Sequence, residues 1–205
     1  MQPIVLNASL TNFAAFMGRK NHPKFKKILE QVLKRDHFTC QYCGFQAQVY
    51  QEVVNLDQNY QNNKLSNLVT ACCFCAQCFF LEVVGEAYGG GTLIYLPEIP
   101  QTDLSALSHV LFCAMGNEND YRDNAQEIYQ TLRSRYSVIE DNYGEGLSDP
   151  LVMGQLIIDY TSTHEESPAP LLEHMRLLPA RGRFKKQVDY WIQLAQGEKE
   201  QKNQQ

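Results

Sequence analysis

The sequence predicts an α+β fold: a small cysteine-built module of hairpin and helix, followed by a mostly helical second half. Three observations lead there. Six of the seven cysteines lie in two clusters, HFTCQYCGF at 37–45 and NLVTACCFCAQCFF at 67–80. Two CxxC pairs a few tens of residues apart have the spacing of a four-thiolate structural zinc site. Beyond residue 100, apolar residues recur at helical spacing in several separate stretches.

Taken in order, residues 1–20 read as an irregular lead-in or a strand (PIVLN), with a short apolar turn at Phe13, Phe16 and Met17. NHPKFKKILEQVLKRD then reads as a helix. Pro23 suits its first turn, where the missing N–H costs nothing. Phe25, Ile28, Leu29, Val32 and Leu33 form one apolar face, and the lysines between them form a solvated one. Cys40 and Cys43 follow, closed by Gly44. In a CxxCG knuckle, successive N–H groups point at the thiolates, and glycine accepts the left-handed turn. QVYQEVVNLD at 48–57 reads as the returning strand of a hairpin, and QNYQNNK as a polar loop. Ser66 or Asn67 is placed to cap a short turn. CAQCFFLEVVGEAY reads as a helix whose free N–H groups would favour thiolate charge.

The register of the second pair is open from spacing alone, since Cys72–Cys75 and Cys75–Cys78 both satisfy CxxC. With Cys75 at the start of a helix, Cys78 lies a turn further on and could bind only in a rotated site. The expected ligands are therefore Cys40, Cys43, Cys72 and Cys75, holding one structural zinc ion. Cys73, Cys78 and Cys113 are expected to be small apolar residues of the core.

GGG at 89–91 reads as a flexible turn and TLIYLPEIP as a strand ended by prolines. A helix capped by Thr102 or Asp103 follows, with Leu104, Leu107, Val110, Leu111 and Ala114 turned inward and His109 beside them. One helix is expected over about 120–140, and another in PLVMGQLIIDY. TSTHEESPAP reads as an exposed loop. LLEHMRLLPARGRFKKQVDYWIQLAQ reads as two helical pieces broken at 179–182, and GEKEQKNQQ as a frayed tail. The expected division is a module with its lead-in over 1–88 and a helical extension over 89–205, packed as one body.

Charge and chemistry narrow the function. The formal net charge is −5, unevenly spread. Residues 1–50 carry seven basic and two acidic side chains, residues 51–175 four and eighteen, and residues 176–205 seven and three. The acidic middle repels phosphate backbones, which argues against a general nucleic-acid binder. The basic ends suit a local contact with an acidic partner. No apolar run reaches the length of a membrane span, and the first twenty residues lack a secretory pattern, so a cytoplasmic setting is expected. Reduced thiols suit that setting.

Zinc held by four thiolates has no open position at which to activate water. Catalysis would need a separate base, and none of His22, His37, His109, His164 or His174 lies between the cysteine pairs. Glu52, Asp57 and Glu82 there have no histidine at short spacing. Neither a phosphate-binding glycine loop nor a serine elbow is present, and Cys73 lacks a base that would make it a nucleophile.

Residues 24–80, with FKKILEQVLKRDHFTCQYCGF, EVVNLD and NNKLSNLVTACCFC, resemble the HNH endonuclease family. The resemblance implies an HNH-like, treble-clef-like zinc module with ligands at Cys40, Cys43, Cys72 and Cys75. The family's paired acid and catalytic histidine fall on Asn55 and Leu56, its middle asparagine on Asn67, and its final histidine or asparagine on Ala76. Leucine takes no proton and alanine holds no magnesium, so a nuclease-like fold without nuclease chemistry is expected. The rival expectations are a divergent metal-dependent nuclease and a non-cleaving nucleic-acid-binding zinc protein.

The whole chain also resembles the IcmJ/DotN family of the Dot/Icm type IVB secretion system. That resemblance implies an adaptor of the type IV coupling complex, peripheral to the inner membrane. Its implied partners are the C-terminal tail of the coupling ATPase DotL and other coupling-complex subunits. The apolar stretches LIYLPEIP, LVMGQLIIDY and VDYWIQL suit a partner-binding surface, with Tyr190 and Trp191 as candidate contacts.

Overall fold

The structure, a computed structural model, describes residues 1–117, 119–164 and 169–202. The lead-in forms no ladder strand. Its backbone instead straps the second cysteine cluster, with Asn7 N donating to Cys78 O (2.9 Å) and Leu81 N to Asn7 O (3.0 Å). The expected apolar turn is a full helix, α1 (Asn12–Lys20), which buries Phe16 and Arg19.

Helix α2 (Pro23–Arg35) forms as its sequence dictates: the His22 ring accepts from Lys24 N, Pro23 opens the first turn, and Lys34 and Arg35 close the last. Its face, Phe25 and Val32 foremost, packs on Val53 and Leu68. Strand β1 (Gln51–Asn55) pairs antiparallel with β2 (Leu68–Cys72), placing Gln51 opposite Cys72. The second strand was not predicted, because every residue of LVTAC is buried and no alternation marks it. The Arg35–Asp36 pair fixes it on α2. Arg35 donates to Leu65 O and Leu68 O, and the Asp36 carboxylate accepts from Thr70 N at 2.8 Å. Burial alone would raise the Asp36 pKa, yet the bonds from Arg35 and Thr70 hold it below the usual range.

The long helix expected after the second cluster is cut to α3 (Cys73–Ala76), followed by 3-10 turns at Gln77–Phe79 and Leu81–Val83. CFCAQCFFL is buried on all sides and has no polar face to orient a longer helix. Phe80 leaves the helical region at φ −141°. The glycine run is closely packed. Gly89 sits at φ +60°, where a Cβ would come 2.3 Å from Gln77 Oε1, and Gly90 N donates to the same oxygen at 3.0 Å.

Strand β3 (Gly91–Tyr95) forms as predicted, but its partner β4 (Met175–Pro179) lies where a helical piece was expected. MRLLP puts three buried residues in succession, and the pairing joins residues at least eighty positions apart, which local periodicity does not see. Helix α4 (Gln101–Gly116) has its cap at Pro100, two or three residues before the predicted one. Its buried stripe is Leu104, Ser108, Leu111, Phe112 and Met115. Leu107 and Ala114 are only partly buried, while Val110 is 64% exposed and Cys113 also faces outward, against expectation. Ser105 and Ser108 are fully buried on the inner face of α4, which packs against β4. Ser108 satisfies its hydroxyl on Leu104 O at 2.7 Å.

The helix expected over 120–140 is two, α5 (Arg122–Ser134) and α6 (Tyr136–Tyr143), broken at Arg135. Helix α7 (Pro150–Thr163) is capped by Asp149, and a short α8 (Ala169–Leu172) precedes β4. Of the loop expected at 161–170, residues 165–168 lie outside the described residues. Helix α9 (Lys185–Lys202) runs into the segment expected to be a frayed tail, of which 203–205 are likewise outside. The largest apolar cluster draws Phe16 of α1, Phe74 of α3, Phe112 of α4 and Ile192 of α9 together around the four predicted ligands. A second gathers Leu81, Leu93, Met153 and Ile157. Among the described residues no helix is long and apolar enough to cross a membrane.

Gly154 lets α7 press directly on the backbone at Glu82, where a Cβ would meet Glu82 N at 2.5 Å. Both Glu82 carboxylate oxygens are shielded and have no side-chain or well-formed hydrogen-bond partner. Burial raises its pKa to about 7. The folded state therefore holds the proton more tightly than the unfolded chain. That favourable contribution is complete below the ordinary glutamate range and lost as pH rises through about 7. Glu82→Gln is expected to stabilise the protein by about 1 kcal/mol at pH 8, discounted for solvent at the stem, and by nothing at pH 4. Urea denaturation at both pH values checks this. Equal effects at the two would refute it.

Candidate metal centre

The two knuckles are built independently and brought together by the hairpin. In the first, Cys40 N donates to Phe45 O (2.9 Å) and Gly44 N to Cys40 O (3.0 Å), with Gly44 at φ +77°. Gln41 N then donates to Thr70 O at 2.9 Å, tying this knuckle to the strand that ends at Cys72. Cys75 lies in α3, directly after that strand. The sulfurs of Cys40, Cys43, Cys72 and Cys75 all lie within 4.8 Å of one another, and all four residues are buried. Cys43 Sγ and Cys72 Sγ are 3.6 Å apart. Tetrahedral zinc with ligands at about 2.3 Å separates its sulfurs by roughly 3.8 Å, so the cage fits the ion.

Electrostatics point the same way. Hydrogen bonds from Cys43, Cys72 and Cys75 lower the Cys40 pKa, while burial first, and neighbouring sulfurs next, raise Cys72 and Cys75. A dry cluster of four thiols does not ionise fully by itself; a bound dication would supply the missing charge. Cys73 and Cys78 are buried outside the cluster, Cys78 with its thiol on Phe74 O at 3.4 Å. Burial pushes both thiols well up. The register with Cys72 and Cys75 is the one whose sulfurs converge.

Sequence reasoning placed His109 merely beside the core. Its Nε2 lies 3.3 Å from Cys72 Sγ, and its ring is sandwiched between Phe45 (3.6 Å between centroids, 7° between planes) and Phe74 (4.2 Å, 20°). Trp191 crosses the same stack at 5.3 Å and donates Nε1 to Val49 O. It is thus an internal contact over the cluster. Tyr190 packs edge-on against Tyr50 and stays 37% exposed.

The positions aligned with nuclease chemistry are otherwise occupied. Leu56 is 41% exposed, and its N–H donates to Asn67 O. Ala76 is buried in α3. The Asn67 side chain holds the Asp57 carboxylate at 2.8 Å, and Asn62 and the N–H of Asn59 bind the same carboxylate. Asn55 is enclosed: its Oδ1 accepts from Arg19, and its Nδ2 donates to Asn59 O (2.7 Å) and Asn62 O (2.8 Å). Arg19 also donates to Val53 O (2.6 Å) and Asn63 Oδ1 (3.0 Å), with its guanidinium 4.4 Å from the Phe25 ring centre and 4.9 Å from that of Tyr60. The lead-in containing Arg19 had no sequence pattern to mark this role.

A buried four-cysteine cage able to chelate a metal, set in a small mixed α+β fold with a helix-rich second half, places the chain among proteins built around a cysteine cage of this general kind. No family model matches the chain. It is 51% identical over 187 residues to the type 4 apparatus protein DotN of Legionella pneumophila (strain Philadelphia 1), covering 91% of this chain and 87% of that protein. The chain belongs to the DotN family.

Proposed function

We propose that this chain is a non-catalytic adaptor of the type IV coupling complex in a Dot/Icm secretion apparatus. In this reading it works in the cytoplasm, peripheral to the inner membrane, as a single body. It binds the C-terminal tail of the coupling ATPase DotL and other coupling-complex subunits, and supports effector recruitment and export. The observation that supports this most is the 51% identity to DotN along nearly the whole of both chains. One zinc ion on Cys40, Cys43, Cys72 and Cys75 serves as a fastener. We read the cysteine module as HNH-like, with its chemistry lost.

Two features support the loss. Leu56 and Ala76 offer neither a proton acceptor nor a magnesium ligand. Asn55, at the paired-acid position, has its amide committed to Arg19 and the 57–64 loop. Mixing the full chain with the isolated ATPase tail is expected to give a stoichiometric complex by size-exclusion chromatography with light scattering. Plasmid DNA should stay intact with magnesium, manganese or nickel. Failure of the two chains to associate would remove the adaptor reading, and nicking that follows the added metal would restore the nuclease one.

A further inference from the structure

The His109 ring belongs to the helical half of the chain but touches a sulfur of the cysteine cage. We propose that His109 is a positioning residue of the metal centre, donating its Nε2–H to the Cys72 thiolate and so protecting the bound zinc from loss and electrophilic attack. The inference rests on the reading that the four cysteines hold zinc. Geometry on three sides supports it.

The first is direction. Nε2 lies 3.3 Å from Cys72 Sγ, within reach of a nitrogen-to-sulfur hydrogen bond. A zinc-bound thiolate has no proton to give, so the imidazole must be the donor, which fixes the neutral ring as the Nε2–H tautomer.

The second is rigidity. Phe45 follows the first knuckle directly, and Phe74 lies between Cys72 and Cys75 in sequence. Their rings clamp the imidazole from both faces, and Trp191 of α9 closes the edge. The stack therefore joins both knuckles, α4 and α9 at one side chain. Such a clamp holds the donor on the sulfur without the entropy loss of a free side chain.

The third is need. Four thiolates around one dication carry a net charge of −2 in a site whose four cysteines are buried. A neutral N–H donor draws charge from one sulfur without adding a titrating cation. Outer hydrogen-bond partners of this kind change metal affinity by about 10- to 100-fold when removed.

The test uses the full chain loaded with one equivalent of zinc, with wild type, His109→Phe and His109→Gln compared. Phenylalanine keeps the stacking area and removes the donor, whereas glutamine places an amide N–H at a similar reach. His109→Phe is expected to weaken zinc binding by about 10- to 100-fold in chelator competition, and to speed zinc release by N-ethylmaleimide, followed with a colorimetric zinc indicator. His109→Gln should recover most of both effects. In the wild type, ¹⁵N shifts should report a neutral ring protonated at Nε2. Wild-type affinity and release in His109→Phe would overturn the proposal. So would equal loss in both variants, which would leave only a packing role, or a ring protonated at Nδ1 alone. Absence of stoichiometric zinc in the wild type would instead refute the metal reading on which the proposal stands.

Discussion

Cys40→Ser or Cys72→Ser is expected to release the zinc and unfold the cysteine module, while Cys73→Ser and Cys78→Ser keep one equivalent of metal. The magnitudes decide this. Structural zinc contributes on the order of 10–16 kcal/mol in small zinc-nucleated folds, as much as or more than the roughly 5–15 kcal/mol of net stability of a whole domain. The four cysteines lie in the largest apolar cluster, with Phe74 and Phe80, so losing the metal loosens the core on which both knuckles pack. Without a cation the buried thiols of Cys72 and Cys75 keep their protons, since burial pushes both up, and no charge is left to draw the four sulfurs together. Cys73 and Cys78 stand apart from the cage; replacing either removes a small buried thiol and costs about 1–2 kcal/mol. Native mass spectrometry gives the zinc count and far-ultraviolet circular dichroism the fold. Full zinc in Cys75→Ser would overturn the register. Acid should mimic the ligand variants, because protons compete for thiolates as pH falls.

The sequence made the cage legible because its chemistry is local. A CxxC pair must close a tight knuckle to bring its sulfurs together, and the glycine after Cys43 shows that turn directly. Helix α2 was equally readable, with Pro23 at one end, Arg35 at the other and one apolar face between. What stayed hidden depends on distant partners. LVTAC and MRLLP are strands because β1 and β3 reach them, and full burial erased the alternation that would have announced them. CFCAQCFFL has helical residues but no solvent side, so packing cut it into short turns. Val110 and Cys113 look inward by residue type, yet both are exposed while Ser105 and Ser108 are buried. His109 and Arg19 were missed for the same reason: each acts across more than thirty residues of chain, on a partner that no short motif names.

Arg19→Met is expected to cost about 3 kcal/mol of stability, with the zinc still bound. The residue is 8% exposed, and among the described residues its guanidinium pairs with no carboxylate. Burial lowers its pKa to about 10, with Tyr60 and Glu52 acting in the opposite direction, so it stays protonated at neutral pH. A lone buried cation is costly in itself, and what offsets the cost is the set of groups it satisfies. Its fork holds Asn55 Oδ1, Val53 O and Asn63 Oδ1, while Phe25 and Tyr60 supply aromatic faces. Methionine fills the stem's space but leaves those acceptors bare, at about 1–3 kcal/mol for each buried one, less the recovered desolvation of the guanidinium. For a chain of this size that lowers Tm by about 6–12 °C. Arg19→Lys should recover only part, because a point charge cannot serve three acceptors in a fork. Denaturant melts with zinc counted in parallel separate this from damage to the cage, and a loss under 0.5 kcal/mol would sink the argument. The outcome bears on function as well. If Asn55 is held by Arg19 as the geometry requires, the position where the resembled nucleases keep their paired acid has become the clasp of the 57–64 loop. In the adaptor reading proposed above, restoring nuclease chemistry at this position would demand breaking a support of the fold.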